Sequence, residues 1–382
     1  MSWPRAALLL VSSSSRTGPV EGLISLAHEA RARGIDARFG GDTVGRGENL
    51  GEHLAEAGVP WEMDLRLSRK LRPLDVLRDA RLLSRWAQSG RFDVLHAAFA
   101  HDHHLCLWAA SRSRNAGLRV VRAAERSIDV SPGVLRQRHW ALRRSDGVLV
   151  HSRAYRERLL SQGFDPSRVA VVPAGVDANW FTPGRAPRLR AQWGVPENAL
   201  LAGIVARMKP ERGHRTLLDA FAKALEHVRD AHLVLVGRGE DEEALREIAR
   251  RLAPERIHFG GYLRGPGLVE AYRALDVGVW LREGNDGACR GVLEAMACGV
   301  PVIAGSEGAP GELVRDGQEG RVVDAGDAAR IAGAIAQLLG DPAGLRRMGI
   351  AARSRAEEFT PARAAEETLA FWQTLRGLPR IS

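Results

Sequence analysis

Short apolar segments alternate with helical patterns from the beginning of the chain. Five segments in the first half are typical of buried strands: residues 5–13, 36–41, 92–98, 118–124 and 145–152. Helix-like segments lie between most of these strands. This alternation is the pattern of βαβ units, in which a helix leads from one strand to the next parallel strand. The first half of the chain is therefore predicted to form a parallel sheet covered by helices.

The alternation then begins again in the second half. The second series consists of residues 200–207, 232–237, 256–261, 277–281, 301–305 and 320–323. Between the two series, residues 173–187 are rich in proline and glycine, which favours a turn-rich linker. A chain of 382 residues is also too long for one ordinary core. We predict an α/β fold with two doubly wound, Rossmann-like domains and a ligand cleft between them.

The composition is that of a globular protein, with 45% hydrophobic and 26% charged residues. No window approaches the ~20 uninterrupted apolar residues that a membrane span needs. The early run "AALLLV" lacks the cationic region and cleavage site of a signal peptide. Cys106, Cys289 and Cys298 show no paired spacing, which favours a reducing compartment. We therefore predict a cytoplasmic protein.

The formal net charge is +9, and the basic residues are clustered. Residues 66–91 contain eight arginines and lysines against two aspartates, and residues 136–144 are basic around a tryptophan. Four apolar side chains are predicted to share one helical face in the first cluster: Leu71, Leu74, Leu77 and Trp86. The favoured interpretation is a solvated helix that packs on its own domain, and the alternative is docking onto an anionic membrane surface.

Two polar segments follow predicted strands in the first half. Residues 12–19, "SSSSRTGP", place hydroxyl groups and Gly18 ahead of a helix, an arrangement suited to an anion or a sugar. The second segment, "FAHDHHL", is predicted to be a loop that presents His101, Asp102, His103 and His104. Contact with substrate is favoured over plain exposed polarity, with a histidine bonding sugar hydroxyls and Asp102 fixing its tautomer.

No metal site is predicted. Neighbouring residues on a loop do not converge readily on one tetrahedral ion. The chain also lacks an Asp-x-Asp pair that would hold Mg²⁺ on substrate phosphates. We therefore expect no cofactor and no metal.

A basic turn follows the first strand of the second half. In "ARMKPERG", residues 206–213, Arg207 and Arg212 lie five positions apart and are predicted to close on one anion from two sides. Lys209 is expected to point elsewhere. Taken alone, the motif also fits a solvent-exposed basic turn.

Further along, two carboxylates lie on either side of a segment rich in small residues, in "DGACRGVLEAMACGVPVIAG", residues 286–305. Gly287, Ala288 and Gly291 leave the backbone accessible at a helix start, where amides and the helix dipole favour a diphosphate. Glu294, one turn inside the helix, is placed to accept bonds from a ribose diol. Asp286, in the loop, is placed to hold sugar hydroxyls.

Taken together, these segments resemble glycosyltransferase family 4, whose members are retaining enzymes of the GT-B fold. A carboxylate, seven residues and then "EAMACGVPVIA" is similar to the family signature, and "GIVARMKPERG" is similar to its phosphate clamp. The passage "VHSRAYRERLLSQGFDPSRVAVVPAGVDANWFTP" resembles the segment between the family's two domains. Two residues depart from the family pattern: Asp286 stands where glutamate is usual, and Arg212 stands where lysine is usual.

The resemblance implies a domain division and a set of site residues. It implies an acceptor-binding domain over residues 1–178, a nucleotide-sugar-binding domain over 179–358, and a helix over 359–382 that returns to the first domain. The diphosphate would lie against Arg207, Arg212 and the amides of residues 287–291, with Asp286 at the sugar. The remaining nucleotide-sugar contacts implied are Gly18, Tyr262, Leu263, Gly287, Ala288, Cys289, Arg290 and Glu294.

The implied reaction moves a sugar from a nucleotide diphosphate sugar, with uridine favoured as the base, to a glycan or lipid-linked acceptor beside His101 or His103. Lipopolysaccharide or another cell-envelope glycan is the expected product. The predicted location is cytoplasmic, with peripheral contact to the inner face of the membrane as a further hypothesis and no nucleic-acid partner. The alternatives are another GT-B enzyme, such as a sugar-nucleotide epimerase, and a catalytically silent nucleotide-binding protein.

Overall fold

The computed structural model describes residues 3–14, 18–42, 50–67, 72–124, 139–282 and 289–381. The chain divides into two compact units. Unit 1 consists of residues 1–174 and 361–382, and unit 2 of residues 175–360. The chain thus leaves unit 1, forms unit 2 from one continuous segment, and returns to unit 1 with its last residues.

Unit 1 contains a parallel six-stranded sheet in the order β2-β1-β3-β4-β5-β6. Its strands are β1 (Ala6–Val11), β2 (Asp36–Gly41), β3 (Val94–Ala97), β4 (Arg119–Ala123), β5 (Gly147–Val150) and β6 (Val169–Val171). Its helices are α1 (Gly18–Ala32), α2 (Leu50–Glu56), α3 (Pro73–Ser89), α4 (Ala100–Ser111), α5 (of which 139–143 are described), α6 (Arg153–Ser161) and α15 (Pro361–Arg376).

Unit 2 contains a second parallel six-stranded sheet, in the order β12-β11-β10-β7-β8-β9. Its strands are β7 (Leu200–Val205), β8 (Ala231–Val236), β9 (Ile257–Gly261), β10 (Val277–Trp280), β11 (Val302–Gly305) and β12 (Gly320–Val323). Its helices are α7 (Pro187–Gln192), α8 (His214–Ala224), α9 (Glu242–Leu252), α10 (Pro266–Arg273), α11 (Arg290–Ala297), α12 (Ala309–Leu313), α13 (Ala328–Leu339) and α14 (Pro342–Ala356).

The predicted fold class is confirmed in each unit, and burial explains why the strands are apolar runs. Leu8 and Leu10 of β1 pack into the cluster that includes residues of α3 and α4. Leu9 and Val11 of the same strand pack into the opposite cluster, which includes residues of α1 and α15. Since successive strand residues point to opposite faces, a strand covered on both faces is apolar without alternation.

Helix α15 packs closely on unit 1. At Gly147 of β5, a Cβ atom would lie 2.6 Å from Leu375 Cδ1 and 2.8 Å from Phe371 Cε1, so the helix can approach this strand only because the residue is glycine. The Arg119 guanidinium of β4 donates to the carbonyl of Leu375 at 2.9 Å and to that of Leu378 at 2.7 Å. These bonds join β4 to the last turn of α15, where carbonyl groups lack intrahelical partners, and to the segment that follows the helix.

The structure corrects three local predictions. Residues 169–171 form strand β6, although the sequence indicated only a passage between domains. Residues 101–104, predicted to be a loop, lie in the first turns of α4, where the Asp102 side chain accepts from the Phe99 amide and caps the helix. Leu74 and Trp86 do not share a face of α3, since Leu74 is 82% exposed and Trp86 is buried.

The different exposure of the α3 residues follows from helical geometry. Leu77 and Trp86 are nine positions apart, which is about two and a half turns and places them on opposite sides. The exposed face of α3 carries Leu74, Leu77, Arg78, Arg81 and Arg85. The fourth predicted member, Leu71, lies outside the described residues. Within the described parts of the chain, we find no helix long and apolar enough to cross a membrane.

Candidate nucleotide-sugar site

The loops that follow β7, β8, β9 and β10 surround a cavity of about 830 Å³ in unit 2. The position follows from the strand order: β8 and β9 lie on one side of β7, whereas β10, β11 and β12 lie on the other. Loops therefore leave the carboxyl ends of β7 and β10 in opposite directions, and this divergence opens a crevice where ligands bind in sheets of this type.

The described lining of this cavity is strongly cationic. Seven basic side chains contribute to it: Arg207, Lys209, Arg212, Arg238, Arg264, Arg282 and Arg290. Three carboxylates also line it: Glu240, Glu242 and Glu294. Glu242 pairs with Arg246 at 2.9 Å, and Glu240 lies 3.9 Å from Lys209. The excess of positive charge in a concave site favours an anionic ligand.

The basic turn after β7 brings Arg207 and Arg212 to the same cavity. A short 3-10 helix, Pro210–Arg212, ends at Gly213, whose φ of 80° is left-handed, and α8 begins at the next residue. Arg207 is exposed, whereas the buried Nε of Arg212 has no hydrogen-bond partner within the described part of the chain. Lys209 lines this cavity as well, so the expectation that it points elsewhere is wrong.

Two glycines allow the loops after β7 and β8 to lie against each other. Gly237 has a φ of 141°, and a Cβ atom there would lie 2.0 Å from the Ala206 carbonyl oxygen. At Gly239, a Cβ atom would lie 2.0 Å from the Met208 carbonyl oxygen. Both contacts are with backbone atoms that cannot rotate away. Any side chain here would force these loops apart and displace Arg207 and Arg238, which belong to them.

Helix α11 presents its first turn to the cavity. Cys289, just before the helix, adopts the left-handed region with a φ of 46°, and Cys289, Arg290 and Gly291 all line the cavity. A Cβ atom on Gly291 would lie 2.8 Å from Trp280 Nε1, so a bare residue is required for this turn to pack on the Trp280 ring. Amides at a helix start and the positive end of the helix dipole suit a phosphate group.

Glu294 lies one turn further along α11, and the Tyr272 hydroxyl donates a 2.5 Å hydrogen bond to its Oε2. Tyr272 belongs to α10 and is 1% exposed. Burial and the neighbouring Glu294 carboxylate hold the pKa of the Tyr272 hydroxyl well above its ordinary value. The hydroxyl therefore keeps its proton and acts as a donor to the carboxylate.

Tyr262 and Leu263 also line the cavity, at the end of β9. Tyr262 is 57% exposed, and the Arg238 guanidinium lies over its ring at 4.4 Å from the centroid. This stacked pair presents a flat, cationic surface of the kind on which aromatic bases stack.

Of the predicted site residues in the second half, the structure brings seven together: Arg207, Arg212, Tyr262, Leu263, Cys289, Arg290 and Glu294. Asp286, Gly287 and Ala288 lie outside the described residues. Sequence reasoning missed Arg238, Arg264 and Arg282, each of which follows a strand end by two or three residues.

The remaining predicted residues belong to unit 1. Gly18 is the first residue of α1. His101 is half-buried on α4, whereas His103 is 2% exposed with its Nε2 2.7 Å from Ser145 Oγ. Burial lowers the pKa of the His103 imidazole well below its ordinary value. A role for either histidine at the acceptor stays a prediction.

The prediction that Asp102 fixes a histidine tautomer is wrong. The Asp102 Oδ2 accepts hydrogen bonds from the Ser12 amide at 3.0 Å and the Phe99 amide at 3.1 Å, which ties the end of β1 to the start of α4. Burial raises the pKa of this carboxyl to about 6. Among the residues that the structure describes, no group of three or more His, Cys, Asp or Glu side chains is arranged to hold a metal ion.

Known proteins match both units of the chain. Residues 17–180 match the family described as "Glycosyltransferase Family 4", and residues 186–355 match "Glycosyl transferases group 1". The D-inositol 3-phosphate glycosyltransferase of Kribbella flavida is 30% identical over 307 residues, which are 75% of this chain and 72% of that protein.

A second relative is the GDP-mannose-dependent alpha-(1-6)-phosphatidylinositol monomannoside mannosyltransferase of Mycolicibacterium smegmatis. It is 34% identical over 256 residues, or 63% of this chain and 66% of that protein. Among solved structures, Anabaena Alr3699/HepE in complex with UDP-glucose is similar with a TM-score of 0.78 at 23% identity. That similarity covers 96% of this chain and 99% of the Anabaena chain.

The two six-stranded parallel sheets and these similarities define a glycosyltransferase of the GT-B class. The chain belongs to glycosyltransferase family 4.

Proposed function

We propose that the protein transfers a hexosyl group from a nucleoside diphosphate sugar to a hydroxyl group of a glycan or lipid-linked acceptor, with retention of anomeric configuration. The observation that supports this most strongly is the cationic cavity of unit 2, into which the turn after β7 and the first turn of α11 both project. Positive side chains and helix amides together are suited to a diphosphate.

In the proposed reaction, catalysis comes mainly from stabilisation of the leaving group. As the bond between the sugar and the diphosphate breaks, negative charge grows on the departing phosphate oxygens. Arg207, Arg212 and Arg290, which line the cavity, are proposed to oppose that charge without a protonation step, because a guanidinium group stays cationic at every relevant pH. Asp286 is proposed to hold the transferred sugar, and the acceptor is proposed to enter beside His101 of unit 1.

The nucleoside is proposed to lie along the wall formed by the loop after β9 and by α11. Glu294 would accept hydrogen bonds from the ribose diol, and the base would stack near Tyr262 and Leu263. UDP and GDP sugars are the two donor classes to distinguish. One relative is named for GDP-mannose and one structural neighbour holds UDP-glucose, so both belong in the test.

The acceptor is proposed to be part of the cell envelope, as a lipid-linked glycan or lipopolysaccharide would be. Relatives are named for inositol phosphate and phosphatidylinositol acceptors, and these provide the first compounds to try. We further propose that unit 1 contacts an anionic membrane through α3, whose outward face combines exposed leucines with three arginines.

The decisive experiment is calorimetry with UDP, GDP and their glucose and mannose conjugates, followed by product analysis with the nucleotide that binds. We expect one nucleotide class to bind with micromolar affinity, without added metal and in the presence of EDTA. An unchanged result after removal of EDTA and addition of Mg²⁺ would support phosphate binding by the protein's own side chains and amides without a metal ion. Failure of every nucleotide to bind would contradict the proposed function.

A further inference from the structure

A buried hydroxyl group meets one of the proposed ligand-binding carboxylates inside unit 2. Tyr272 Oη lies 2.5 Å from Glu294 Oε2, and both residues line the cavity. Tyr272 is carried by α10 and Glu294 by α11, so the bond joins two helices rather than two turns of one helix. A bond to one oxygen is compatible with ligand binding, since an ionised carboxylate can accept about four hydrogen bonds.

The Tyr272 ring is held in place by aromatic neighbours. Phe181 packs edge-on against it, with ring centroids 5.8 Å apart and an interplanar angle of 76°. On another side, the Trp280 ring lies at 6.3 Å. Trp280 in turn packs against Gly291 of α11 and donates from Nε1 to the Val205 carbonyl at 3.3 Å. Tyr272 is therefore a rigid support, fixed to the same strand ends that form the cavity.

The donor and the acceptor of this hydrogen bond are also defined. Glu294 accepts and Tyr272 donates, because burial and the adjacent carboxylate hold the pKa of the Tyr272 hydroxyl well above its ordinary value. Hydrogen bonds to an ionised acceptor are shorter and stronger than neutral ones. A long glutamate side chain otherwise samples several rotamers, and each rotamer would present its oxygens to a different point of the cavity.

We infer that Tyr272 is a positioning residue for the nucleotide: it holds the Glu294 carboxylate in the orientation that meets the two ribose hydroxyls. This inference rests on the proposed function, in which Glu294 binds ribose. Tyr272 acts through Glu294, and its contribution should therefore appear in recognition of the ribose hydroxyls rather than in the sugar-transfer step.

The test compares Tyr272→Phe with Phe181→Leu as the matched control. Tyr272→Phe removes the hydroxyl and keeps the ring, whereas Phe181→Leu disturbs the packing around the ring and keeps the hydroxyl. Calorimetry measures the affinity of each variant for UDP and GDP and for their 2′-deoxy and 3′-deoxy counterparts. Steady-state kinetics with the preferred donor give KM and kcat.

For Tyr272→Phe, we expect the dissociation constant for the nucleotide to rise by about tenfold, as for loss of a hydrogen bond to a charged group. KM for the donor should rise with it, while kcat changes little, because a ribose contact is equally strong in the ground and transition states. The penalty for removing a ribose hydroxyl from the nucleotide should nearly vanish in Tyr272→Phe and be only partly reduced in Phe181→Leu, which loosens the ring but keeps its hydroxyl.

A full deoxynucleotide penalty in Tyr272→Phe would overturn the inference, as would an equal loss of the penalty in Phe181→Leu. Glu294→Ala separates this outcome from failure of the proposed function. If the penalty persists in Glu294→Ala, the carboxylate does not bind ribose, and the ribose assignment is wrong together with the role of Tyr272. If it disappears in Glu294→Ala and persists in Tyr272→Phe, only the inference about Tyr272 fails.

Discussion

Four neighbouring strands of unit 2 are each followed, within three residues, by an arginine. These residues are Arg207 after β7, Arg238 after β8, Arg264 after β9 and Arg282 after β10. Since the carboxyl ends of parallel strands meet at one edge of a sheet, the regular spacing places four guanidinium groups around one cavity. The pattern is visible in the sequence once the strand ends are known. Of the four, only Arg207 was predicted, because it belongs to the segment that resembles the family's phosphate clamp.

Arg212 provides the sharpest prediction at the scale of single residues. Its buried Nε has no hydrogen-bond partner among the described residues, which is the state expected of a group that binds a ligand anion. Arg212→Ala and Arg207→Ala should each lower kcat/KM by about 100-fold, the usual cost of removing one group that stabilises developing negative charge. Steady-state kinetics would measure the effect.

Two variants make the Arg212 experiment specific. Arg212→Lys retains the charge and should recover much of the activity, whereas Arg330→Ala removes an exposed arginine on α13 and should have no effect. Unchanged melting temperatures would show that the fold is intact. Normal turnover in both Arg207→Ala and Arg212→Ala would refute the clamp.

Helix α3 combines an inner face that stabilises unit 1 with an outer face of exposed leucines and arginines, of which Arg78 pairs with Asp64 of the same unit. Inward, Leu83 and Trp86 pack beneath the sheet. Outward, Leu74 is 82% exposed and Leu77 is 44% exposed, and Met63 nearby in the chain is 71% exposed. Exposed leucines can enter the boundary between headgroups and acyl chains, and neighbouring arginines are attracted to anionic lipids.

At this scale we predict that the protein binds anionic vesicles and that Leu74 and Leu77 contribute. The double variant Leu74→Ser/Leu77→Ser should reduce partitioning into phosphatidylglycerol vesicles by about tenfold, because less apolar surface enters the interface. Co-sedimentation would measure binding, with phosphatidylcholine vesicles as the neutral comparison. Ile350→Ser, at a 73% exposed position on α14, serves as the control. Equal binding of the wild type to neutral and anionic vesicles would argue against the assignment.

Strands and helices could be predicted from the sequence where the burial of apolar side chains is enough to define them. Eleven of the twelve strands were predicted, most of them because they are short runs of buried apolar residues, but β6 has only three residues and lies in a passage that resembles a linker. The beginning of α4 was missed because its first turns are polar and lack the apolar spacing that indicates a helix. The bond between Tyr272 and Glu294 could not be predicted, since it depends on how two separate helices pack.

For the whole molecule, buried histidines predict sensitivity to acid. Burial, helped by nearby arginines, lowers the pKa of His96 to about 3 and that of His214 to about 4, from an ordinary value of 6.5. Below pH 6.5 each imidazole binds a proton in the unfolded chain but stays neutral in the folded protein. The free energy of unfolding therefore decreases as the pH falls from 6.5 toward the folded-state pKa. Burial also raises the pKa of three carboxyls, Asp79, Asp102 and Asp146, that of Asp102 to about 6, and these groups act in the opposite direction below about pH 6. They are outnumbered by the seven described histidines whose pKa is lowered.

We therefore expect the melting temperature to fall between pH 7 and pH 5, with the free energy of unfolding changing by up to about 1.4 kcal/mol per pH unit for each such histidine. His96 lies in unit 1 and His214 in unit 2. Scanning calorimetry of His214→Gln should show a flatter pH dependence whatever the effect of the variant at pH 7. A melting temperature that rises on acidification would contradict this account.

The path of the chain through its two units also governs the order in which they can form on the ribosome. Unit 2 is one continuous segment and has all its strands as soon as residue 360 has emerged, whereas the core of unit 1 includes Leu369, Trp372 and Leu375 of α15. Synthesis proceeds at about 5–20 residues per second, so many seconds pass between synthesis of the first six strands and synthesis of α15. The domain made first is thus the one completed last, and one face of its sheet lacks α15 while the other domain is being made.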